Sequence, residues 1–578
     1  MAPTDQLQEV KIMLHGTAAS EGIGIGKVML IEEHSLEYTP RTVTDTEAES
    51  QRFKAAVDAF CYNTEKQAEN LRSSAGEKEA EILAGHIQII KDPYLSGEIE
   101  KLIADGQCAE SALEHMCDMF IAMFSAADDE LTKQRAADVR DIKSGVLGIL
   151  LGVNEIKVSD APKGTVLVAR ELTPSVTAGI VKENIAGIIT ETGGTTSHSA
   201  ILARALEIPA VLSVEGVASS LKNGDTVVVD GSEGAVIVNP DDNTVAEYSK
   251  KRDAFLAERK ELENYRGRET KSASGEVYEL FCNIGKLEDA VKAVDADGEG
   301  VGLFRTEFLF MDRTSIPTED EQFEAYKKAA LILKGKSLII RTLDIGGDKD
   351  IPYLGLEKEE NPFMGFRAIR YCLKNRELFK SQIKAILRAS AFGDIKIMFP
   401  LITTMDELRE GKKLVAECKA DLRNMDINFN ENIQVGVMVE TASAAVIADM
   451  LAKEADFFSI GTNDLTGYTM ACDRGNNDVS YLYSPLQPSV LRMIKRTIEC
   501  GVQNGISVGM CGEAAANKLM IPLLISFGLT EFSVSAPSVL NVRKIISTWT
   551  KEEADKVTAK VLEMSTQQEI VEYLKSVV

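Results

Sequence analysis

From Tyr278 onward the sequence repeats one pattern, a short apolar run followed by a longer amphipathic stretch. The runs are Tyr278–Ile284, Gly300–Phe304, Ser337–Leu343, Ile395–Phe399, Gln434–Val439, Phe457–Ile460, Ser507–Met510 and Glu531–Val534. Eight β-α units within residues 271–578 predict a (β/α)8 barrel, which leaves few other folds open to this part of the chain. In such barrels chemistry collects at the carboxyl ends of the strands, so the polar residues that close each run are the first functional candidates.

The 270 residues before the barrel differ in texture. Residues 1–35 hold Gly22, Gly24 and Gly26 ahead of Val28–Ile31, which reads as a turn feeding a short strand. Residues 36–153 are poor in glycine and proline and carry apolar residues at helical spacing, punctuated at Asp92–Pro93 and Gly106. Strand-like runs return in residues 154–245, among them Thr165–Ala169, Gly187–Thr190, Thr226–Val229 and Ala235–Val238. Val28–Ile31 matches these runs in character, so the helical block is expected to be an insertion into a smaller α/β domain. Residues 246–270 are dominated by charge, and Lys250–Glu269 reads as a solvated connecting helix.

Composition excludes several function classes. With 64 Lys and Arg against 89 Asp and Glu, the net charge of −25 argues against a general nucleic-acid binder, which needs a basic face. No apolar stretch approaches the ~20 residues that span a bilayer, and Met1–Val10 lacks the features of a secretory signal, so a cytoplasmic location is expected. The nine cysteines include no C-x-x-C pair and are expected to be free thiols.

The strand ends carry a coherent chemistry. Arg305 follows the second run, Arg341 and Asp344 lie inside or just after the third, and Glu440 follows the fifth. The sixth leads into Asn463–Asp464 and on to Arg474, and the seventh ends at Cys511. Arginine forks bind phosphate and carboxylate oxygens, and carboxylates among them attract a hard cation such as Mg²⁺. The expected guest is a small phosphorylated carboxylic acid.

A second candidate lies outside the barrel, in Gly193-Gly194-Thr195-Thr196-Ser197-His198. The glycines make a turn, Thr196 or Ser197 can cap, and a helix runs on to Pro209, which puts His198 at a helix amino terminus. Backbone N–H groups there can receive phosphate oxygens, and a neutral imidazole is able to attack phosphorus.

These segments, with Arg305-Thr306-Glu307-Phe308-Leu309, Arg341–Lys349, Gly436–Thr441 and Ser459–Leu465, resemble over nearly the whole chain the Enzyme I family, the phosphoenolpyruvate-protein phosphotransferases of the bacterial sugar phosphotransferase system. Arg135–Ile142 of the helical block also resembles the family. The resemblance implies a swivelling α/β phosphohistidine domain (1–35 and 154–245) and an inserted helical domain that binds the phosphocarrier protein HPr (36–153). It also implies a linker helix (246–270) and a barrel (271–578) that binds phosphoenolpyruvate and forms a homodimer. By the same carry-over His198 accepts the phosphoryl group and passes it to a histidine of HPr. Arg305, Arg341, Asn463, Asp464 and Arg474 hold the substrate, with Lys349 a further phosphate contact. Glu440 and Asp464 bind Mg²⁺, and Cys511 protonates enolpyruvate. Glu21, Glu191 and Ala442 depart from the family pattern, and none of them removes a group with an assigned role. A pyruvate phosphate dikinase or phosphoenolpyruvate synthase shares the histidine and barrel motifs but needs an ATP-binding module, and no G-x-x-x-x-G-K-[ST] loop is present. A non-catalytic regulatory protein is the reading that the intact His198, Glu440, Asp464 and Cys511 oppose.

Overall fold

The computed structural model describes residues 12–31, 36–74, 77–126, 130–153, 158–177, 179–194, 197–311, 313–346, 351–473 and 476–578. The chain divides into two compact units, Met1–Arg259 and Lys260–Val578.

The first unit is built on strands β1 (Ile12–His15), β2 (Thr17–Ser20), β3 (Ile23–Ile31), β4 (Thr165–Ala169), β5 (Ile185–Thr190), β6 (Ala210–Leu212), β7 (Thr226–Asp230) and β8 (Ala235–Val238). Their order is β1-β8-β7-β3-β4-β5-β6-β2, with β3 to β6 parallel and the remaining pairs antiparallel. Of the glycines that read as a turn, Gly22 makes one with φ 116°, whereas Gly24 and Gly26 belong to the first half of β3. A Cβ at Gly24 would sit 2.0 Å from the Ala186 carbonyl oxygen and one at Gly26 2.1 Å from that of Gly164, so these glycines serve close backbone approach.

Between the paired strands β3 and β4 the chain runs through α1 (Thr46–Ser74), α2 (Glu77–Ile90), α3 (Pro93–Ala104), α4 (Ala109–Ser125) and α5 (Glu130–Leu151). The sequence punctuation falls where the helices break. The Asp92 side chain accepts hydrogen bonds from the N–H groups of Tyr94 and Leu95 to start α3 at Pro93, and Gly106 takes φ 94° beyond its end. Phe53, Ile99, Leu113, Val139 and Ile142 lie in one core shared by these helices. The charged segment forms a helix over Asp242–Glu263, with Asp241 capping the Thr244 N–H at 2.7 Å. It starts and ends earlier than expected because, without an apolar stripe, charge density alone marks no boundary.

In the second unit β9 (Glu279–Ile284), β10 (Gly300–Arg305), β11 (Leu338–Arg341), β12 (Ile395–Phe399), β13 (Val435–Val439), β14 (Phe457–Ile460), β15 (Ser507–Met510) and β16 (Glu531–Val534) close into a barrel. Every neighbouring pair is parallel, and β16 returns to β9. The expected (β/α)8 architecture is present, within about a residue or two at each strand boundary. Among the described residues no helix is long and apolar enough to cross a membrane.

Candidate active site

Because the barrel strands all point the same way, their last residues and following loops share one mouth. Arg305 ends β10 with its side chain exposed, whereas Arg341 ends β11 with only 8% of its surface exposed. The Arg341 peptide is fixed by a buried chain of side chains. Thr306 Oγ1 donates to the Arg341 carbonyl at 2.8 Å, Gln382 Nε2 donates to Thr306 Oγ1 at 3.1 Å, and Gln382 Oε1 accepts from Leu343 N at 2.9 Å. The guanidinium is gripped by Glu307 through Nη2 and by Asp344 through Nη1 at 2.9 Å, while its Nε is buried without a hydrogen-bond partner among the described residues. Burial opposes its charge, but Glu307, Asp344 and Glu440 outweigh burial and raise its pKa above the ordinary arginine value.

Across the mouth, Asp344, Glu440 and Asp464 each place a carboxylate oxygen within 4.8 Å of the others. Glu440 follows β13, is 2% exposed and accepts the Leu401 N–H at 2.7 Å through Oε1. Burial, then Asp464 and Asp344, push its pKa up, while Arg341 and Arg367 pull against them. Three hard oxygen donors with mutual repulsion suit a divalent cation, so the donor set fits the Mg²⁺ that the sequence implies.

Two members of this arrangement go beyond the sequence reading. Arg367, 7% exposed, binds Asp344 Oδ1 through Nη2 at 2.7 Å and through Nε at 3.1 Å, and reaches Asp464 Oδ2 at 3.3 Å. It stands in the loop region after β11, where no strand end announces it; the available signal was the long stretch between Asp344 and the next helix. The strand-end pattern brings Asp344 forward by position but not as a member of an acidic trio. It bridges Arg341 to Arg367, so the two guanidinium groups are set by one carboxylate.

The other expected residues distribute as follows. Asn463 and Asp464 open the helix Thr462–Met470; Asn463 Nδ2 donates to Glu513 Oε1 at 3.3 Å, and its carbonyl accepts from Tyr483 Oη at 3.0 Å. Cys511 follows β15 with 4% exposure, its Sγ 3.8 Å from the Ile460 carbonyl oxygen. Burial pushes the thiol up to about 11, with Ser459 and Arg341 acting to lower it and Glu440 to raise it. At neutral pH the group is therefore a thiol, able to donate a proton. Arg474 and Lys349 lie outside the described residues.

His198 belongs to the first unit and is the first residue of the helix His198–Leu206. Ser197 is the cap, accepting the Ala200 N–H at 3.3 Å, and Gly193 turns the preceding loop with φ 107°, its carbonyl held by the Ser213 hydroxyl. Thr195, Thr196 and the His198 side chain lie outside what is described.

Arg341 from a strand end and Arg367 from a loop thus meet the acidic trio at the barrel mouth, and known proteins resemble this chain. Family models for PEP-utilising enzymes match in three segments: the N-terminal model at residues 15–135, the mobile domain at 161–234 and the PEP-binding domain at 259–550. The phosphoenolpyruvate-protein phosphotransferase of Bacillus subtilis (strain 168) is 46% identical over 570 residues, covering 98% of this chain and 99% of that protein. The protein of the same name from Staphylococcus carnosus (strain TM300) is 43% identical, covering 97% and 98% respectively. The chain belongs to the phosphoenolpyruvate-protein phosphotransferase family of enzymes.

Proposed function

We propose that the chain transfers the phosphoryl group of phosphoenolpyruvate to its own His198 and then to a histidine of HPr, releasing pyruvate, as the first step of a sugar phosphotransferase system. The observation that carries this reading is the convergence of Arg341, Arg367, Asp344, Glu440 and Asp464 at one barrel mouth, in a chain whose relatives bear the corresponding name.

In this reading Arg305, Arg341, Asn463 and Arg474 hold the phosphate and carboxylate of the substrate, with Arg367 beside them. Bidentate guanidinium contacts are suited to both groups. Glu440 and Asp464 hold Mg²⁺, with Asp344 at the same corner, and the ion when bound neutralises charge on the phosphoryl oxygens. A His198 ring nitrogen forms the new bond to phosphorus as the bridging P–O bond breaks, leaving the enolate of pyruvate. Cys511 Sγ–H then protonates its C3 to give the methyl group, and solvent restores the thiol.

His198 and the mouth belong to different compact units, so the histidine domain (1–35 and 154–245) is proposed to move on the linker (246–270). It alternates between the barrel (271–578) and HPr on the helical domain (36–153). The barrel domains pair to form a homodimer, and the protein works in the cytoplasm.

The test is a chase with labelled phosphoenolpyruvate and Mg²⁺, run beside labelled ATP, with HPr added second. Label passing from phosphoenolpyruvate through the protein to HPr, with stoichiometric pyruvate, is expected. Label from ATP alone, or none reaching HPr, contradicts the reading.

A further inference from the structure

Cys511 has a neighbour that neither the strand-end pattern nor the acidic trio brings forward. Asn283 lies one residue before the end of β9, partly exposed and flanked by the buried Cys282 and Ile284. Its Nδ2 donates to the Cys511 carbonyl at 3.0 Å and to the Ser533 carbonyl at 3.2 Å, and its Oδ1 accepts from Ser533 Oγ at 2.7 Å. Two carbonyls on one side and a hydroxyl donor on the other fix which end of the amide is nitrogen.

The contact is unusual for its reach, since β9 is not adjacent to β15: β16 lies between them. The ladder between β15 and β16 pairs Gly509 with Glu531 and Met510 with Phe532, which leaves the Cys511 carbonyl beyond those pairs. On the other side the Cys511 N–H donates to the Ile460 carbonyl at 3.2 Å. The peptide that carries the thiol is thus held at its N–H by β14 and at its carbonyl by Asn283. The side chain itself packs among Leu303, Ile339, Met398, Met438 and Phe457, with the Ile460 carbonyl 3.8 Å from Sγ and the Ser459 hydroxyl beside it as its polar neighbours.

We infer that Asn283 is a positioning residue for Cys511, holding the Cys511 peptide so that Sγ–H faces C3 of the enolate. The inference rests on the reading of Cys511 as the proton donor. In the step concerned the S–H bond breaks, the C2–C3 electron pair of the enolate forms the new C–H bond, and the thiolate is later protonated by water. Proton transfer tolerates little misplacement, and a shift of about 1 Å in a positioned group can cost on the order of 10²-fold.

The test uses full-length protein with Mg²⁺ and compares wild type, Asn283→Ala, Asn283→Asp and Cys511→Ala. Three readouts separate the roles: kcat and KM for phosphoenolpyruvate, the solvent deuterium isotope effect on kcat, and exchange of pyruvate methyl hydrogens into D₂O. Both Asn283 variants are expected to keep KM within about twofold while kcat and methyl exchange fall about 10–100-fold and the isotope effect rises. The aspartate is expected to do no better than alanine, because an ionised carboxylate cannot donate to two carbonyls. Melting curves run alongside identify a variant that has lost its fold, in which case the other substitution decides. Wild-type kcat and exchange in a folded Asn283 variant would overturn the inference, as would a raised KM at unchanged kcat. If Cys511→Ala itself retains methyl exchange, the reading of Cys511 fails instead, and the two failures are told apart.

Discussion

The barrel mouth and the His198 segment differ in what is held in place: charged side chains at the mouth, the backbone of a helix start at His198. At the mouth charged side chains are locked by other charged side chains, Arg341 by Glu307 and Asp344 and Arg367 by Asp344 and Asp464, while the Cys511 backbone is held by the Asn283 amide and the Ile460 carbonyl. In the His198 segment it is the backbone that is held, by a glycine at positive φ, by the Ser197 hydroxyl at the helix start and by the Ser213 hydroxyl on the Gly193 carbonyl. A site that must bind and neutralise a small anion gains from fixed charges, because preorganised dipoles and ions need no rearrangement during the reaction. A group that must be presented to two different surfaces gains more from a helix start that carries its own N–H donors.

The sharpest way to break this comparison is to remove a fixed charge. Arg341→Met leaves Glu307, Asp344 and Glu440 facing one another without their shared cation, and kcat/KM for phosphoenolpyruvate should fall by about 10²–10³-fold in a steady-state pyruvate assay. A fall of less than tenfold would mean that the mouth does not work through this arginine. Glu440→Gln comes next. It should raise the Mg²⁺ concentration for half-maximal activity by at least the roughly 10–100-fold typical of losing an outer metal partner, read from a metal titration at saturating substrate.

Smaller effects sharpen the contrast through stability. Glu531, on the barrel strand β16, is pushed up from 4.5 to about 8 by burial and by the adjacent Glu279, against the pull of Lys396. A carboxyl whose folded pKa is raised contributes stability below its unfolded pKa and loses it as pH rises through the folded one. Melting temperature should therefore decline between about pH 4.5 and 8, and Glu531→Gln should flatten part of that slope without changing KM. Ser197→Ala should have the smallest effect, about 1 kcal/mol or less of local stability by chemical denaturation, because the backbone turn at Gly193 remains.

Much of the mouth was legible because one rule located it. Arg305, Glu440, Asp464 and Cys511 each follow an apolar run and Arg341 stands near the end of one, and hydrophobicity marks where a buried strand stops. Arg367 and Asn283 escaped for different reasons. Arg367 reaches the mouth from the loop region after β11, and loop paths depend on tertiary packing that no periodicity encodes. Asn283 stands, like Arg341, just inside the end of an apolar run, but as an uncharged amide it does not join the pattern of arginines and carboxylates; a lone amide among Leu280, Phe281, Cys282 and Ile284 is the signal. The first half of β3 is not legible as a strand because Gly24 and Gly26 serve close packing there, which in sequence looks the same as a turn.

The account's central claim is that a fixed anion site in the barrel serves a histidine carried by the other unit. The most direct measurement is peptide mapping of the acid-labile phosphate after a single turnover with labelled phosphoenolpyruvate and Mg²⁺, in wild type, His198→Ala and Arg341→Met. The account predicts one labelled peptide, the one containing His198, absent in His198→Ala and formed far more slowly in Arg341→Met. Label on a barrel residue, label that survives His198→Ala, or undiminished labelling in Arg341→Met would contradict it.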